Sequence, residues 1–226
     1  MSNGVKPIEQ HHPSFCISGM GRSGSLWLSQ LMNRSARWTV RHEPHNEYDL
    51  DAISLRFREE TAKGPYAEIN SFANFCLLDL PVRERGVLIR DPIEILISYA
   101  NRNPHELRWQ ISSDALTIEG AFLDHLSASL ATIDLAIKKG VRPISFVSMT
   151  TKLDYLTQQL RTFDVWDVEP MQADLETKTN TAGREALAGW MSLDRLTRGR
   201  IERRLRWYRK RYAVYGAKTT HDPDVP

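Results

Sequence analysis

Phe15-Cys-Ile-Ser-Gly-Met-Gly-Arg-Ser-Gly-Ser-Leu-Trp-Leu28 is the stretch whose reading decides the fold. Phe15 to Ser18 is a short apolar run bounded by Pro13 and Gly19, the pattern of a buried strand. Glycines follow at 19, 21 and 24. From Ser25 onward, Leu28, Leu31 and Met32 recur at the i, i+3, i+4 spacing of a helix. A strand that turns through glycines into a helix N-terminus makes an anion site. Successive backbone N–H groups converge there, and the helix dipole adds partial positive charge.

Outward from this stretch the same grammar repeats. Trp38 to Arg41 has β character and leads into His42-Glu-Pro-His-Asn-Glu47. Asp49 to Lys63 reads as a helix or a lid, Tyr66 to Asn70 as a third strand and Gly86 to Ile89 as a fourth. Asp91 suits an N-cap and Pro92 the first helical position, with Ile93, Leu96, Ile97 and Ala100 as the buried stripe. A long helix over about 114–139, a strand from Pro143 to Val147 and a helix from Leu153 to Phe163 complete the alternation. Strands alternating with helices predict an α/β fold of three layers, a mostly parallel central sheet with helices on both faces. Ligands of such sheets sit at the carboxyl ends of the strands, where the glycine loop, His42-Glu43, Asn70-Ser71 and Arg90 all fall.

The chain of 226 residues has room for one such domain and is short for two. The expected division is a loose arm over 1–13, a single domain over 14–216 and a tail over 217–226. A net charge of +2 favours no class of partner. No run approaches the ~18 apolar residues of a membrane span, and the polar N-terminus does not resemble a signal peptide. Cys16 and Cys76 sit in apolar surroundings and read as buried thiols, which fits a reducing, cytoplasmic setting.

The glycine spacing admits more than one anion. Gly19, Gly21 and Gly24 satisfy the dinucleotide pattern Gly-x-Gly-x-x-Gly, with Glu43 near the place of a ribose-binding acid. Gly19 and Gly24 also fit the nucleotide triphosphatase loop. That loop needs Lys and then Ser or Thr after its last glycine, where this chain has Ser25 and Leu26. A leucine cannot ligate magnesium. The cation sits instead at Arg22, beside Ser23. Arg-Ser-Gly-Ser after a strand resembles the 5′-phosphosulfate loop of sulfotransferases that use 3′-phosphoadenosine 5′-phosphosulfate (PAPS).

A second stretch, Arg90-Asp-Pro-Ile-Glu-Ile-Leu-Ile-Ser-Tyr-Ala-Asn-Arg102, adds to this. Arg90 ends a strand, and Ser98 and Arg102 share one face of the helix that follows. An arginine and a hydroxyl on neighbouring rigid elements suit a phosphate monoester. The stretch resembles the 3′-phosphate-binding segment of the same family, Arg-Asp-Pro with a serine eight residues after the arginine. The resemblance covers about residues 15–103 and implies a P-loop NTPase-like sulfotransferase fold. It implies that Gly21, Arg22, Ser23, Gly24, Ser25 and Leu26 line the 5′-phosphosulfate site. Leu26 replaces a hydroxyl that most relatives carry. It further implies that Arg90 and Ser98 hold the 3′-phosphate, and that Arg22 neutralises charge on the bridging oxygen.

A hydroxyl acceptor requires a general base. Glu-Pro after the second strand resembles the carbohydrate sulfotransferases, which makes Glu43 the expected base, with His42 second and His45 third. Proline inside His42-Glu-Pro-His45 breaks the helical turn that a His-Glu-x-x-His zinc site needs. Glu68-Ile-Asn-Ser71 resembles, more faintly, a segment near the acceptor. Near the C-terminus, Arg195 to Arg211 carries nine Lys or Arg against Glu202, with Ile201, Leu205, Tyr208 and Tyr212 as an apolar stripe. This reads as a packed helix with a solvated basic face. A helix that binds nucleic acid, a membrane or an anionic glycan is the other reading. The resemblance further implies a basic loop near the C-terminus that completes the nucleotide site, with Lys178 or Arg184 as its candidate.

The expected function is transfer of a sulfuryl group from PAPS to a hydroxyl of a carbohydrate or glycolipid. It leaves adenosine 3′,5′-bisphosphate and needs no metal. The expected partner is a small-molecule or glycan acceptor, with no nucleic acid and no membrane span. The alternatives are an NAD-dependent oxidoreductase and a non-catalytic protein that binds a nucleotide or a polyanion.

Overall fold

A computed structural model describes residues 12–21, 23–44, 49–102, 115–176, 191 and 194–218, with side chains omitted at 99–102, 115–123, 125, 197 and 216–218. Strands β1 (Ser14–Gly19), β2 (Thr39–His42), β3 (Tyr66–Ile69), β4 (Glu84–Ile89) and β5 (Arg142–Ser145) form one all-parallel sheet in the order β2-β3-β1-β4-β5. The helices are α1 (Ser25–Met32), α2 (Leu50–Thr61), α3 (Pro92–Arg102), α4 (Ala115–Lys138), α5 (Phe146–Met149), α6 (Leu153–Thr162), α7 (Gln172–Glu176) and α8 (Arg195–Lys218). A short 3₁₀ helix spans Ser71–Phe75. The α/β reading holds.

Side chains on alternate strand positions enter two separate cores. Phe15, Ile17, Ala67, Ile69 and Leu88 pack with Leu28, Leu31 and Met32 of α1 and with Leu156 and Leu160 of α6. Cys16, Tyr66, Val87 and Ile89 pack with residues of α2, α3, α4 and α8. Period-two alternation between two buried sets means that both faces of the sheet are covered. The α1 crossover lies on one face, and the crossovers through α2 and through α3 with α4 lie on the other. The face changes with the direction of travel across the sheet, as a single crossover hand requires. Chain leaving β1 and chain leaving the adjacent β4 therefore diverge to opposite faces, which opens a crevice at their carboxyl ends.

Details differ from the sequence-based expectation. The strand predicted over Pro143 to Val147 ends at Ser145, because the Ser145 hydroxyl accepts from Ser148 N–H and caps a short helix that takes Phe146 and Val147. Asp49 to Lys63 is no lid: Ile53 and Phe57 of α2 are fully buried. Asp91 caps α3 as expected, accepting from Ile93 N–H at 2.8 Å. Pro13, assigned to the loose arm, already accepts from Tyr66 N–H.

Helix α8 is clamped to α4 through Asp134. Its buried carboxylate accepts from Arg211 Nε at 2.7 Å, from Lys138 Nζ at 2.6 Å and from the Tyr215 hydroxyl. Burial alone would raise the carboxyl's pKa; the bonds from Lys138, Tyr215 and Arg211 outweigh it and hold the group below its ordinary value. The stability that Asp134 adds is complete above the unfolded carboxyl pKa of ~3.9 and drains as pH falls through the lower folded value. Asp134→Asn should cost ~1–3 kcal/mol near neutral pH and cost less at pH values below the folded pKa. Urea unfolding across an acid pH series measures both effects.

Candidate functional site

The glycine loop leaves β1 and enters α1 through a turn in which Ser23 N–H donates to the Met20 carbonyl at 3.0 Å. Gly24 is the N-cap of α1 and adopts φ 99°, ψ 13°, the left-handed region. A Cβ at Gly24 would lie 2.2 Å from the Phe146 ring, and one at Gly19 would lie 2.8 Å from both Leu88 Cβ and Ser23 Oγ. Both glycines are therefore required by packing, and Gly24 by its backbone as well. The Ser23 hydroxyl is buried, turned toward Gly19, and has no hydrogen-bond partner among the described residues. A buried hydroxyl without a partner is uncommon and calls for an explanation.

Phe146 joins this loop to Arg90. The guanidinium carbon of Arg90 lies 4.6 Å from the Phe146 ring centroid, and the same ring closes on Gly24. Arg90 is nearly buried and donates from Nε to Glu94 at 3.0 Å. Ser98 is buried further along α3, about 10 Å of helix from Asp91. Leu26 is exposed on the first turn of α1.

A second cluster closes the mouth on the β2 side. His42 Nε2 lies 3.0 Å from Ser25 Oγ and 3.9 Å from Glu43 Oε1. The Glu43 carboxylate accepts a short hydrogen bond from the Ser71 hydroxyl. Glu43 holds φ 43°, a left-handed conformation that costs a non-glycine residue about 1–2 kcal/mol. Its N–H donates to the Ile69 carbonyl at 3.3 Å, tying this turn to the end of β3. Ser25, His42, Glu43 and Ser71 thus form one polar cluster from three strand ends. A groove of about 730 Å³ runs along the edge strand β2, lined by Asn33, Thr39, Arg41, His42, Arg56 and Glu60 among others.

The loop is braced from behind by a chain of hydrogen bonds. Arg56 Nε donates to buried Glu68 at 2.5 Å, Asn70 Nδ2 donates to Glu68 at 2.9 Å, and Ser18 Oγ donates to the Asn70 carbonyl at 2.8 Å. Asn74 Nδ2 donates to the Gly19 carbonyl at 2.8 Å. Glu68 is fully buried within β3, so it supports the mouth and does not line it.

The structure brings Gly21, Ser23, Gly24 and Ser25 together with His42 and Glu43, and joins Arg90 to them through Phe146. Arg22, His45, Lys178 and Arg184 lie outside the described residues, as does the side chain of Arg102. Phe146 and Asn74 carry parts of the site that the sequence reading did not assign; Ser71 was placed at the strand ends, but its bond to Glu43 was not foreseen. Asn70, a residue type that caps helix starts, was the available signal for Asn74; Phe146 carried none. Comparison with protein-family models and with curated proteins gives no match.

Gly24→Ala should destabilise the protein by about 2–4 kcal/mol, from backbone strain plus collision with Phe146. Gly140→Ala is the control, because Gly140 also has a positive φ of 93° but nothing within 4 Å of its added Cβ. Denaturant unfolding should show the smaller loss at Gly140.

Proposed function

We propose that the protein is a sulfotransferase with a P-loop-like α/β fold, moving a sulfuryl group from PAPS to a hydroxyl of a carbohydrate or glycolipid. The observation that carries this reading is the loop itself: a left-handed Gly24 at the N-terminus of α1, the Ser23 hydroxyl behind it with no hydrogen-bond partner among the described residues, and Arg90 held beside it on Phe146. Backbone N–H groups and a helix dipole suit the 5′-phosphosulfate, and an arginine across the crevice suits a further phosphate. The strand order is a second support. A dinucleotide-binding fold of order 3-2-1-4-5-6 sets β2 against β1, whereas here β3 stands between them.

In the reaction, the acceptor oxygen attacks sulfur in line with the leaving phosphate oxygen. The new O–S bond forms as the phosphosulfate S–O bond breaks, and adenosine 3′,5′-bisphosphate departs. Catalysis of this kind rests on positioning and electrostatics. Glu43 takes the acceptor's proton, with Ser71 orienting its carboxylate, and Arg22 meets the charge on the leaving oxygen. His42 lies between Ser25 and Glu43, where it fixes the loop against the base. The polar groove beside β2 suits a saccharide acceptor, since its lining offers side-chain donors and acceptors of both charges.

Calorimetry against adenosine 3′,5′-bisphosphate, NAD and ATP tests the donor. The bisphosphate should bind without added metal, and the other two far more weakly; tight NAD binding beside none for the bisphosphate would overturn the reading. Arg90→Ala should then weaken the bisphosphate by the ~2–5 kcal/mol of a desolvated charge pair and leave the 5′-monophosphate nearly unchanged. Equal losses would make Arg90 structural.

The base has its own test, transfer of labelled sulfate to a panel of oligosaccharides. Glu43→Gln should lower turnover by ~10²–10⁴-fold with donor binding near normal, and His42→Asn should lower it less. The reverse order, with donor binding intact in both variants, would make His42 the base.

A further inference from the structure

Helix α8 has two unlike sides. Ile201, Leu205, Tyr212 and Tyr215 are buried in the core. At the flanks, Arg204, Arg209 and Arg211 pair with Asp124, Asp91 and Asp134. The outward side carries Arg200, Arg203, Arg206 and Lys210, all exposed, and none has an ion-pair partner among the described residues. At 100° per residue these four share an arc of roughly 120° with Leu196, Trp207 and Val214. Those three are 65%, 51% and 52% exposed. Glu202, the acid of this helix, falls outside the arc. Lys138 of α4 and Arg211, both bonded to Asp134, flank the Trp207 ring at 5.9 and 5.4 Å.

Solubility alone accounts for the arginines but not for an indole and two aliphatic side chains set among them. A nucleic acid or sulfated glycan would use the cations and leave Leu196 and Val214 in water. A lipid surface uses every member of the set. Cations meet anionic headgroups, a tryptophan sits at headgroup depth, and aliphatic side chains reach the acyl boundary. The helix of 24 residues spans about 36 Å and can lie flat along such a surface. No helix among the described residues is long and apolar enough to cross a membrane, so the contact is peripheral. We propose that the outward face of α8 docks the protein onto an anionic lipid surface. The proposal does not depend on what the crevice transfers.

The test is co-sedimentation of the full chain with vesicles of phosphatidylcholine, with and without about one-third phosphatidylglycerol. The protein should bind the anionic vesicles at least ~10-fold more strongly, and the preference should fade as salt is raised. Arg203→Ala/Arg206→Ala/Lys210→Ala should lower that binding by roughly 100-fold, with an unchanged melting temperature. Trp207→Ser, with all cations kept, should weaken it as well. Equal or absent binding to the two vesicle types overturns the proposal. So does undiminished binding of either variant. Retention on heparin by a protein that ignores vesicles assigns the face to polyanions and also overturns it.

Discussion

The contact on which the site depends is between Gly24 and the ring of Phe146. Gly24 must turn through a left-handed conformation for β1 to enter α1, and the space a side chain would occupy there is filled by an aromatic ring from beyond β5. That ring in turn supports the guanidinium of Arg90 from its face. Three chain segments more than fifty residues apart thereby meet at one aromatic ring. The divergence of α1 and α3 to opposite faces leaves the crevice open beside it, so the groups that could hold an anion are carried on rigid strand ends.

Rigidity behind the loop comes from buried polar groups rather than from apolar packing. The Arg56–Glu68 pair is desolvated, a costly arrangement unless the remaining hydrogen bonds are made, and here the Tyr66 hydroxyl and Asn70 make them. Burial first, then the Glu68 carboxylate, push the Cys16 thiol well above its ordinary pKa. The Tyr66 hydroxyl is raised for the same two reasons. These groups are held in their neutral forms, which suits a supporting role. From the Arg56–Glu68 pair, hydrogen bonds reach the Gly19 carbonyl through Asn70, Ser18 and Asn74, coupling α2 to the loop.

Electrostatics divide the rest of the surface. The arginines of α8 nearest the body are matched by Asp91, the cap of α3, and by aspartates on α4 and act as clamps, whereas those on the outward arc face solvent together with Trp207. One helix thus both closes the core and presents a charged face. The distinction is made by which acids the neighbouring helices place within reach.

Most of the fold was legible in the sequence because its signals are local. Apolar runs between turn residues mark the strands, and stripes at helical spacing mark α1, α3 and α8; both patterns reflect which side of an element is dry. Asp91 and Pro92 announced the start of α3 through their own backbone preferences. The glycine loop was legible for the same reason, since only glycine accepts φ near +99° without strain. The pairing of Ser25 with His42, of Glu43 with Ser71, and of Gly24 and Arg90 with Phe146 was not legible. These contacts join strand ends distant in sequence, and strand order decides which ends become neighbours. Phe146 shows the limit most plainly. As part of an apolar run it read as strand, but the Ser145 hydroxyl captures Ser148 N–H and turns the chain into a helix. Sequence alone determined the longer strands and helices and the residue types at their ends. Tertiary structure decided which ends meet, because that depends on crossover direction and packing across both faces of the sheet, and no single segment encodes either.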